Sequence, residues 1–501
     1  MVVGLLIALL LLGGALFAFT SLNVASVRVD RDRDTKEVLA QAKDALIAYA
    51  VSHLTRPGQL PCPDVNDDGI EDLAGTCTSL IGRLPWVTLG LPDLRDDSGE
   101  RLWYAVSADF GNGSGVPLNS DTAYRENPPA PTANQSLTLT GTTPAANLVA
   151  IVISPGATLT RTDGRAQVRG CGAMCDPKDF LDIASGEDNV YENRAFVAAS
   201  RSASFNDTLM PVFSDDIMRL VERRAARELA QHLRNHFEAW ENSPVLSGAN
   251  NGFYPFAVPW NDPSSTPVQL GTNNTPSGLL PLSTAPVTWS NVSPGCSGAG
   301  TTILECNALV VCLPIVGCLL GNLSGRVENI ATRFLDAPTA GNVDLLGLSL
   351  GGSGSWTMDE ANRRLEFSYG GFLSAGIIHI RVAAPAVSSW VGGWLGSNNW
   401  HQNAYYAFAP GFAMNGNNLC GVTCFSIANT SPVTTNKHAI VVMTGRSLSQ
   451  AAIAQDPRPV GVLPAEMVQY LEDGNSDVTA TAFETKARTA AFNDTPVAVR
   501  P

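Results

Sequence analysis

Charge is scarce in this chain. Only 16% of its 501 residues are Asp, Glu, Lys or Arg, and the basic side is the poorer, with 32 Lys plus Arg against 46 acidic residues and a net charge of −14. That deficit excludes a nucleic-acid partner, because phosphate backbones would be repelled rather than neutralised. A helical protein is excluded as well, since 45 Gly and 32 Pro divide the sequence into turns and short strands. No C-x2-C spacing occurs among the ten cysteines and no His neighbours the close pairs, which removes a zinc site. Nor does any lone His, Asp or Cys join an obvious catalytic constellation, so no enzyme is expected.

What the chain has instead is an apolar beginning. Met1 to Val27 carries no charge, and about 20 consecutive apolar residues at ~1.5 Å rise each suffice to cross a bilayer core. Arg28 to Leu54 then places Leu39, Ala42, Leu46, Tyr49, Ala50 and His53 on one helical stripe with charges on the other faces. Arg56-Pro57-Gly58 is the stop, because proline lacks an N–H and disfavours helix in the residue before it. The expectation is one helix over residues 1–54, membrane-bound at its start and amphipathic at its end.

The remainder is long enough for two or three domains, and it repeats itself. AFVAASRSASFNDT (195–208) is matched by AFETKARTAAFNDT (482–495), AIVISPGATL (150–159) by AIVVMTGRSL (439–448), and LWYAVS (102–107) by AYYAFA (404–409). Phe180-Leu181 likewise pairs with Tyr470-Leu471. A second amphipathic helix is expected over residues 214–240, with Ser214 as N-cap, Asp215 and Asp216 in the first turn, and Ile217, Val221, Ala225, Leu229, Leu233, Phe237 and Trp240 buried. The two β-branched runs predict central strands. The expected fold class is α+β, a long N-terminal helix followed by two tandem helix-plus-antiparallel-sheet heads. Its domains are 1–54, 55–212 and 213–501, the last holding an insertion at about 263–400 with meander strands, a turn at Asp359 to Asn362, and a stapled apolar segment from Thr301 to Leu320.

The cysteines fall in close pairs: Cys62 with Cys77, Cys171 with Cys175, Cys296 with Cys306, Cys312 with Cys318, and Cys420 with Cys424. Short-range disulfides in an oxidising compartment are the reading, which points to the bacterial periplasm or beyond. Asp64-Val65-Asn66-Asp67-Asp68-Gly69-Ile70-Glu71-Asp72 offers oxygens at alternate positions around a glycine turn. Asp64, Asn66, Asp68 and Asp72 are therefore candidate Ca2+ ligands, although the bidentate Glu of a twelve-residue loop is absent and a solvated acidic turn is the alternative.

Three weaker signals carry less. Gly347-Leu348-Ser349-Leu350-Gly351 spells a nucleophile elbow, with His438 as the sensible base, but a poor helix opening follows it. His232 and His236 share a helical face without the Glu of H-E-x-x-H, and Gly111, Gly113 and Gly115 neither follow a strong strand nor open a helix.

The N-terminal stretch, with its glycine pair Gly13 and Gly14, resembles the N-terminal helix of type IV pilins and type II secretion pseudopilins. It departs from them at Leu5, where major subunits carry a glutamate; minor, tip-located members tolerate the change. The resemblance implies a single-pass inner-membrane protein with small α/β heads outside the membrane. It also implies other pilins or pseudopilins as partners through the helix, packed at Gly4, Gly13, Gly14 and Ala15, and calcium sites in the heads. The doubled head implies a tip or low-copy position. The alternatives are a stand-alone inner-membrane anchor presenting a periplasmic binding or adhesive domain, and a secreted hydrolase using Ser349.

Overall fold

The structure, a computed structural model, describes residues 32–123, 136–241, 254, 257, 276–280, 289–291, 296–297, 299–300, 304–313, 317–325, 341–345, 348–359, 364–370, 375–382, 393–412, 419–420, 424–430, 434–448, 464–477, 479–489 and 491–499. For the described residues within 289–382, and for positions 236, 239–241 and 464–466, that description is of the backbone alone.

Helix α1 occupies residues 32–52. Thr35, Leu39, Ala42, Leu46 and Ala50 recur at helical spacing and are all buried, which is the stripe that lays α1 on its domain. Tyr49 and His53 lie at the margin, half-buried and packed edge-to-face at 5.8 Å. Past Pro57 the chain turns back so that the Gly58 N–H donates to the Ala50 carbonyl at 2.8 Å. Gly58 does this at φ +105°, a conformation that side chains resist.

The expected fold class needs correction here. Among the described residues the first helix is no longer than 32–52, only three α-helices occur (α1, α2 and α3), and no helix is long and apolar enough to cross a membrane. The apolar run Met1–Val27 lies outside the described residues. Nor are the bodies simple antiparallel sheets carrying a helix: the strands of the described residues fall into seven sheets, and two of these contain parallel pairs. The fold is mixed α/β with several sheets. Residues 28–31, over which the single-helix reading runs, lie outside the described residues; the antiparallel reading overlooked strands whose partners arrive by long connections.

Two compact units divide the chain: Met1–Leu118 with Thr122–Val221, and Asn119–Asp121 with Glu222–Pro501. The first holds a six-stranded sheet of β1 (Ile81–Arg83), β2 (Trp103–Val106), β3 (Leu137–Gly141), β4 (Ala145–Ser154), β5 (Ala195–Ala198) and β6 (Thr208–Phe213). Strand β4 is central, antiparallel to β2, β3 and β6, while β3 pairs parallel with β5. Leu148–Ser154 of β4 are buried without a break, as a strand covered on both faces requires. Trp103, Ile151, Ile153, Phe180, Leu181 and Phe196 form the heart of the core.

Helix α2 (Ser214–Glu241) begins where β6 ends and buries Ile217, Met218, Val221, Ala225, Ala226, Leu229, Ala230, Leu233 and Phe237. Its cap differs from expectation. Asp216 accepts the Phe213 N–H at 3.0 Å, whereas the Ser214 hydroxyl donates to the Ala123 carbonyl at 3.0 Å, so Phe213 takes the cap position and Ser214 is the first helical residue. Lys43 of α1 pairs with Asp216 at 2.6 Å and donates to the Pro211 carbonyl at 3.0 Å.

In the second unit β7 (Ser277–Leu279), β8 (Ala404–Phe408), β11 (Ala439–Met443) and β13 (Thr495–Val499) make one sheet in the order β7-β8-β11-β13. Strands β9 (Phe425–Ala428), β10 (Thr434–Lys437) and β12 (Ala482–Glu484) make another, with β9 parallel to β12. The first sheet repeats β1-β2-β4-β6 of the first unit strand for strand. Register repeats as well: Ala105 faces Ile151 and Thr208 faces Ser154 in one unit, and Ala407 faces Ile440 and Thr495 faces Met443 in the other. The parallel pairs β3–β5 and β9–β12 correspond too.

The insertion adds a six-stranded and a three-stranded sheet of its own. Leu348–Asp359 and Arg364–Gly370 form one antiparallel pair, and Leu304–Leu313 and Gly317–Gly325 another. The short α3 (Trp394–Ser397) precedes β8.

Candidate functional site

The acidic loop after α1 folds onto itself. Asp64, almost fully buried, accepts backbone N–H groups from Asn66 at 3.1 Å, Asp67 at 2.7 Å and Gly69 at 2.7 Å. Asn66 accepts from Asp68 at 3.0 Å, Asp68 from Ile70 at 2.8 Å, and Asp72 from Val65 at 2.7 Å. Burial pushes the Asp64 carboxyl above the usual aspartate range, and the backbone donors at Gly69 and Asp67 oppose the shift. Glu71 closes the loop from within, taking the Cys62 N–H at 2.9 Å and an Asn112 amide hydrogen at 2.8 Å.

A Ca2+ cage requires carboxylate oxygens that converge on one point. Among the described residues the one group of three carboxylate, imidazole or thiol donors within 4.8 Å of one another is Asp67 with Cys171 and Cys175, and there the two sulfurs are joined to each other. Asp64, Asn66, Asp68 and Asp72 each accept a backbone N–H of their own loop, and Asp64, Asp68 and Asp72 do not form such a group. The loop is braced by the Cys62–Cys77 disulfide; Cys420–Cys424 is bonded as well. Cys296 faces Cys306 and Cys312 faces Cys318 across antiparallel strands.

The other signals resolve structurally. Ser349 lies in a strand, opposite Asp344 in an antiparallel pair, and not at a strand-to-helix turn. His438 stacks on Phe412 at 3.6 Å between ring centroids, and burial followed by the neighbouring Lys437 lowers its pKa to about 4. His232 is half-buried on α2 with its pKa lowered by burial, and the His236 side chain lies outside the described residues. Gly111 and Gly113 make room for the disulfide loop: a Cβ at Gly113 would come within 1.9 Å of the Gly75 carbonyl oxygen.

The repeat leads instead to a feature that the residue types alone did not disclose. In the first unit Asp182 and Asp207 grip each other's backbone. Asp207 accepts the Asp182 N–H at 2.8 Å, and Asp182 accepts those of Asn206 at 2.5 Å and Asp207 at 3.1 Å. Asn189 ties the pair to β5, donating to Asp207 at 2.9 Å while exchanging bonds with Val197 at 2.8 and 3.2 Å. In the second unit Asp494 accepts the Glu472 N–H at 2.8 Å, Glu472 accepts those of Asn493 at 3.0 Å and Asp494 at 3.1 Å, and Asn475 bonds Asp494 at 3.2 Å and Glu484 of β12 at 2.9 and 3.1 Å. These acid clasps match bond for bond, with glutamate in place of aspartate at one position.

No family model, curated protein or solved structure matches the chain. The repeat is therefore the comparison available, and it is internal.

All four acids are buried. Burial drives Asp207 well above the usual aspartate range, with the charge of Asp182 adding to it, and burial followed by Glu472 does the same for Asp494. Asp182 is raised as well, burial outweighing its backbone and Gln167 donors. The sequence signal for the clasps was the identical Phe-Asn-Asp-Thr within otherwise diverged copies. Asp182 and Glu472 differ in type, and their signal was only that they directly follow the matched pairs Phe180-Leu181 and Tyr470-Leu471.

Proposed function

We propose that the chain is a non-catalytic structural component of a type IV pilus or type II secretion-like filament, in the manner of a minor pilin or pseudopilin at low copy or at the tip. The observation that carries this reading is how α1 spends its apolar surface. Its single stripe, Thr35 to Ala50, is buried, and Asp32, Arg33, Asp34, Lys36, Glu37, Gln41 and Asp44 are exposed. The uncharged sequence Met1–Val27 upstream is left to find an apolar partner elsewhere, in a bilayer or among like segments. Disulfides at Cys62–Cys77, Cys171–Cys175 and Cys420–Cys424 suit an oxidising envelope compartment. Two units on one stem give a bulk suited to the end of a filament better than to its repeating shaft.

Affinity capture of the tagged full-length chain from detergent-solubilised envelopes tests this. Recovery of other pilins or pseudopilins, lost when Gly13 and Gly14 are replaced by Leu, supports it. Capture of the intact chain with no such partner overturns it in favour of a stand-alone anchored binding or adhesive protein.

A further inference from the structure

Among the described residues β5 ends the first unit's sheet and β12 ends the three-stranded sheet of the second, each paired parallel along one side. A terminal strand presents a row of backbone donors and acceptors to whatever lies beside it. Successive residues of a strand aim their N–H and C=O groups to alternate sides, so the bonds to the inner neighbour say which groups face out. The Arg194 and Ala198 carbonyls receive the Thr138 and Thr142 N–H groups at 2.9 and 2.8 Å, which turns the backbone of Val197 away from β3. In the second unit the Thr481 carbonyl receives the Ser426 N–H at 2.9 Å and the Thr485 N–H reaches the Ala428 carbonyl at 3.4 Å, so Glu484 faces away from β9.

One buried asparagine meets each outward residue. Asn189 accepts the Val197 N–H at 2.8 Å on Oδ1 and donates from Nδ2 to the Val197 carbonyl at 3.2 Å, and Asn475 does the same for Glu484 at 2.9 and 3.1 Å. A side-chain amide offers an acceptor and two donors, so it reproduces the N–H and C=O of an adjoining strand in a single residue. Its remaining hydrogen goes to Asp207 or Asp494, at 2.9 and 3.2 Å. Other terminal strands are guarded differently. Pro211 in β6 and Pro496 in β13 lack an N–H, and Arg83 of β1 exchanges backbone bonds with Asp64 at 2.6 and 3.0 Å. Neither β5 nor β12 contains proline.

We propose that Asn189 and Asn475 are edge plugs, which occupy the outward bonds of β5 and β12 and so prevent those strands from pairing with a second copy of this chain. An aspartate could not serve, because its carboxylate has no hydrogen for the Val197 or Glu484 carbonyl. The asparagine is the same in both copies of the repeat, although the acid beside it changes from Asp182 to Glu472. Two plugs are needed for a geometric reason. A chain with one open edge stops at a pair, whereas a chain with two joins copies in an open series. The inference stands whether or not the chain enters a filament.

The test is bismaleimide cross-linking of the full-length chain carrying Ala195→Cys and Ala482→Cys as reporters on the two strands. Relative to that parent, Asn475→Ala should add dimers and nothing larger, and Asn189→Ala together with Asn475→Ala should add a ladder that grows with protein concentration. In dilute samples the Val197 and Glu484 amides of the double variant should exchange about 5–30-fold faster, as loss of their acceptors requires. No increase over the parent at any concentration overturns the proposal. So does an equal ladder from Leu46→Ala, a core deletion on α1, since general destabilisation would then be the cause. Should the asparagine variants fail to fold, the unsubstituted chain decides the matter. Its Val197 and Glu484 amides must exchange as slowly as those of the inward-facing Phe196 and Phe483, and exchange at the rate of unpaired backbone refutes the plugs.

Discussion

Replacing Gly445 with alanine should destabilise the second unit, against the ordinary trend. A Cβ there would lie 2.3 Å from both Cγ and Oδ1 of Asn493. Asn493 cannot swing aside freely, because its amide donates to the Arg446 carbonyl at 2.7 Å and its own N–H is held by Glu472. Overpacking of this kind costs about 1–3 kcal/mol and loss of the amide bond about 1 kcal/mol, while alanine returns roughly 0.4–1 kcal/mol through the unfolded chain. The net expectation is a loss of about 1–3 kcal/mol. Gly156→Ala is the matching change in the first unit, with Asn206 atoms at 2.8 Å and a 2.7 Å bond to the Ala157 carbonyl. Its φ of +60° adds strain, about 1–2 kcal/mol for a side chain in the left-handed region. Scanning calorimetry reads both as drops of several degrees, at about 2–4 °C per kcal/mol for units of this size. Gly172→Ala is the control, since nothing lies within 4 Å of its would-be Cβ, and it should move the midpoint by less than about 0.5 kcal/mol equivalent. If Gly445→Ala matches or exceeds the unsubstituted chain, the glycine-to-asparagine contact and the equivalence of the copies are both wrong.

Other expectations follow from the same geometry. Removing the Cys62–Cys77 disulfide by double alanine substitution opens a loop of sequence separation 15 and should cost about 3 kcal/mol, read as a lower urea midpoint for the first unit; an unchanged midpoint contradicts it. Leu46→Ala deletes a fully buried contact of α1 and should cost about 2–5 kcal/mol; a loss below about 1 kcal/mol would mean that the stripe is not packed as described. His401 is buried, with its pKa lowered by desolvation to about 4. Because the unfolded chain takes up that proton first, the second unit should lose stability as pH falls from about 6.5, and His401→Asn should flatten the acid limb; an identical slope in both chains refutes the assignment. Calcium should leave the first unit's midpoint unchanged, because Asp64, Asn66, Asp68 and Asp72 already accept their own backbone. A stabilisation of about 2.7 kcal/mol at a hundredfold excess over Kd, abolished by Asp72→Ala, would show that the loop opens to bind.

Much of the framework could be read in the residues because periodicity and repetition are local. The spacing of Leu39, Ala42, Leu46 and Ala50 marks the buried side of α1, and the runs at 150–154 and 439–443 mark the central strands. The close cysteine pairs needed only proximity. What stayed hidden was long-range. The parallel pairing of β3 with β5 and of β9 with β12 leaves no mark in alternation, since a parallel neighbour demands the same buried face as an antiparallel one. The acidic loop reads two ways for a related reason: alternating oxygens suit a metal and suit Asx turns equally well, and the residue types do not separate the two. Asp182 and Glu472 follow the matched pairs Phe180-Leu181 and Tyr470-Leu471, but their role was not legible because it arises from burial against a partner distant in sequence.

The proposed role turns most directly on where the intact protein is found. Shearing cells that produce the tagged full-length chain, and collecting the released surface filaments, should recover it there at low abundance beside the major subunit. If the chain stays wholly with the sheared cells while the filaments come away without it, the filament account is contradicted.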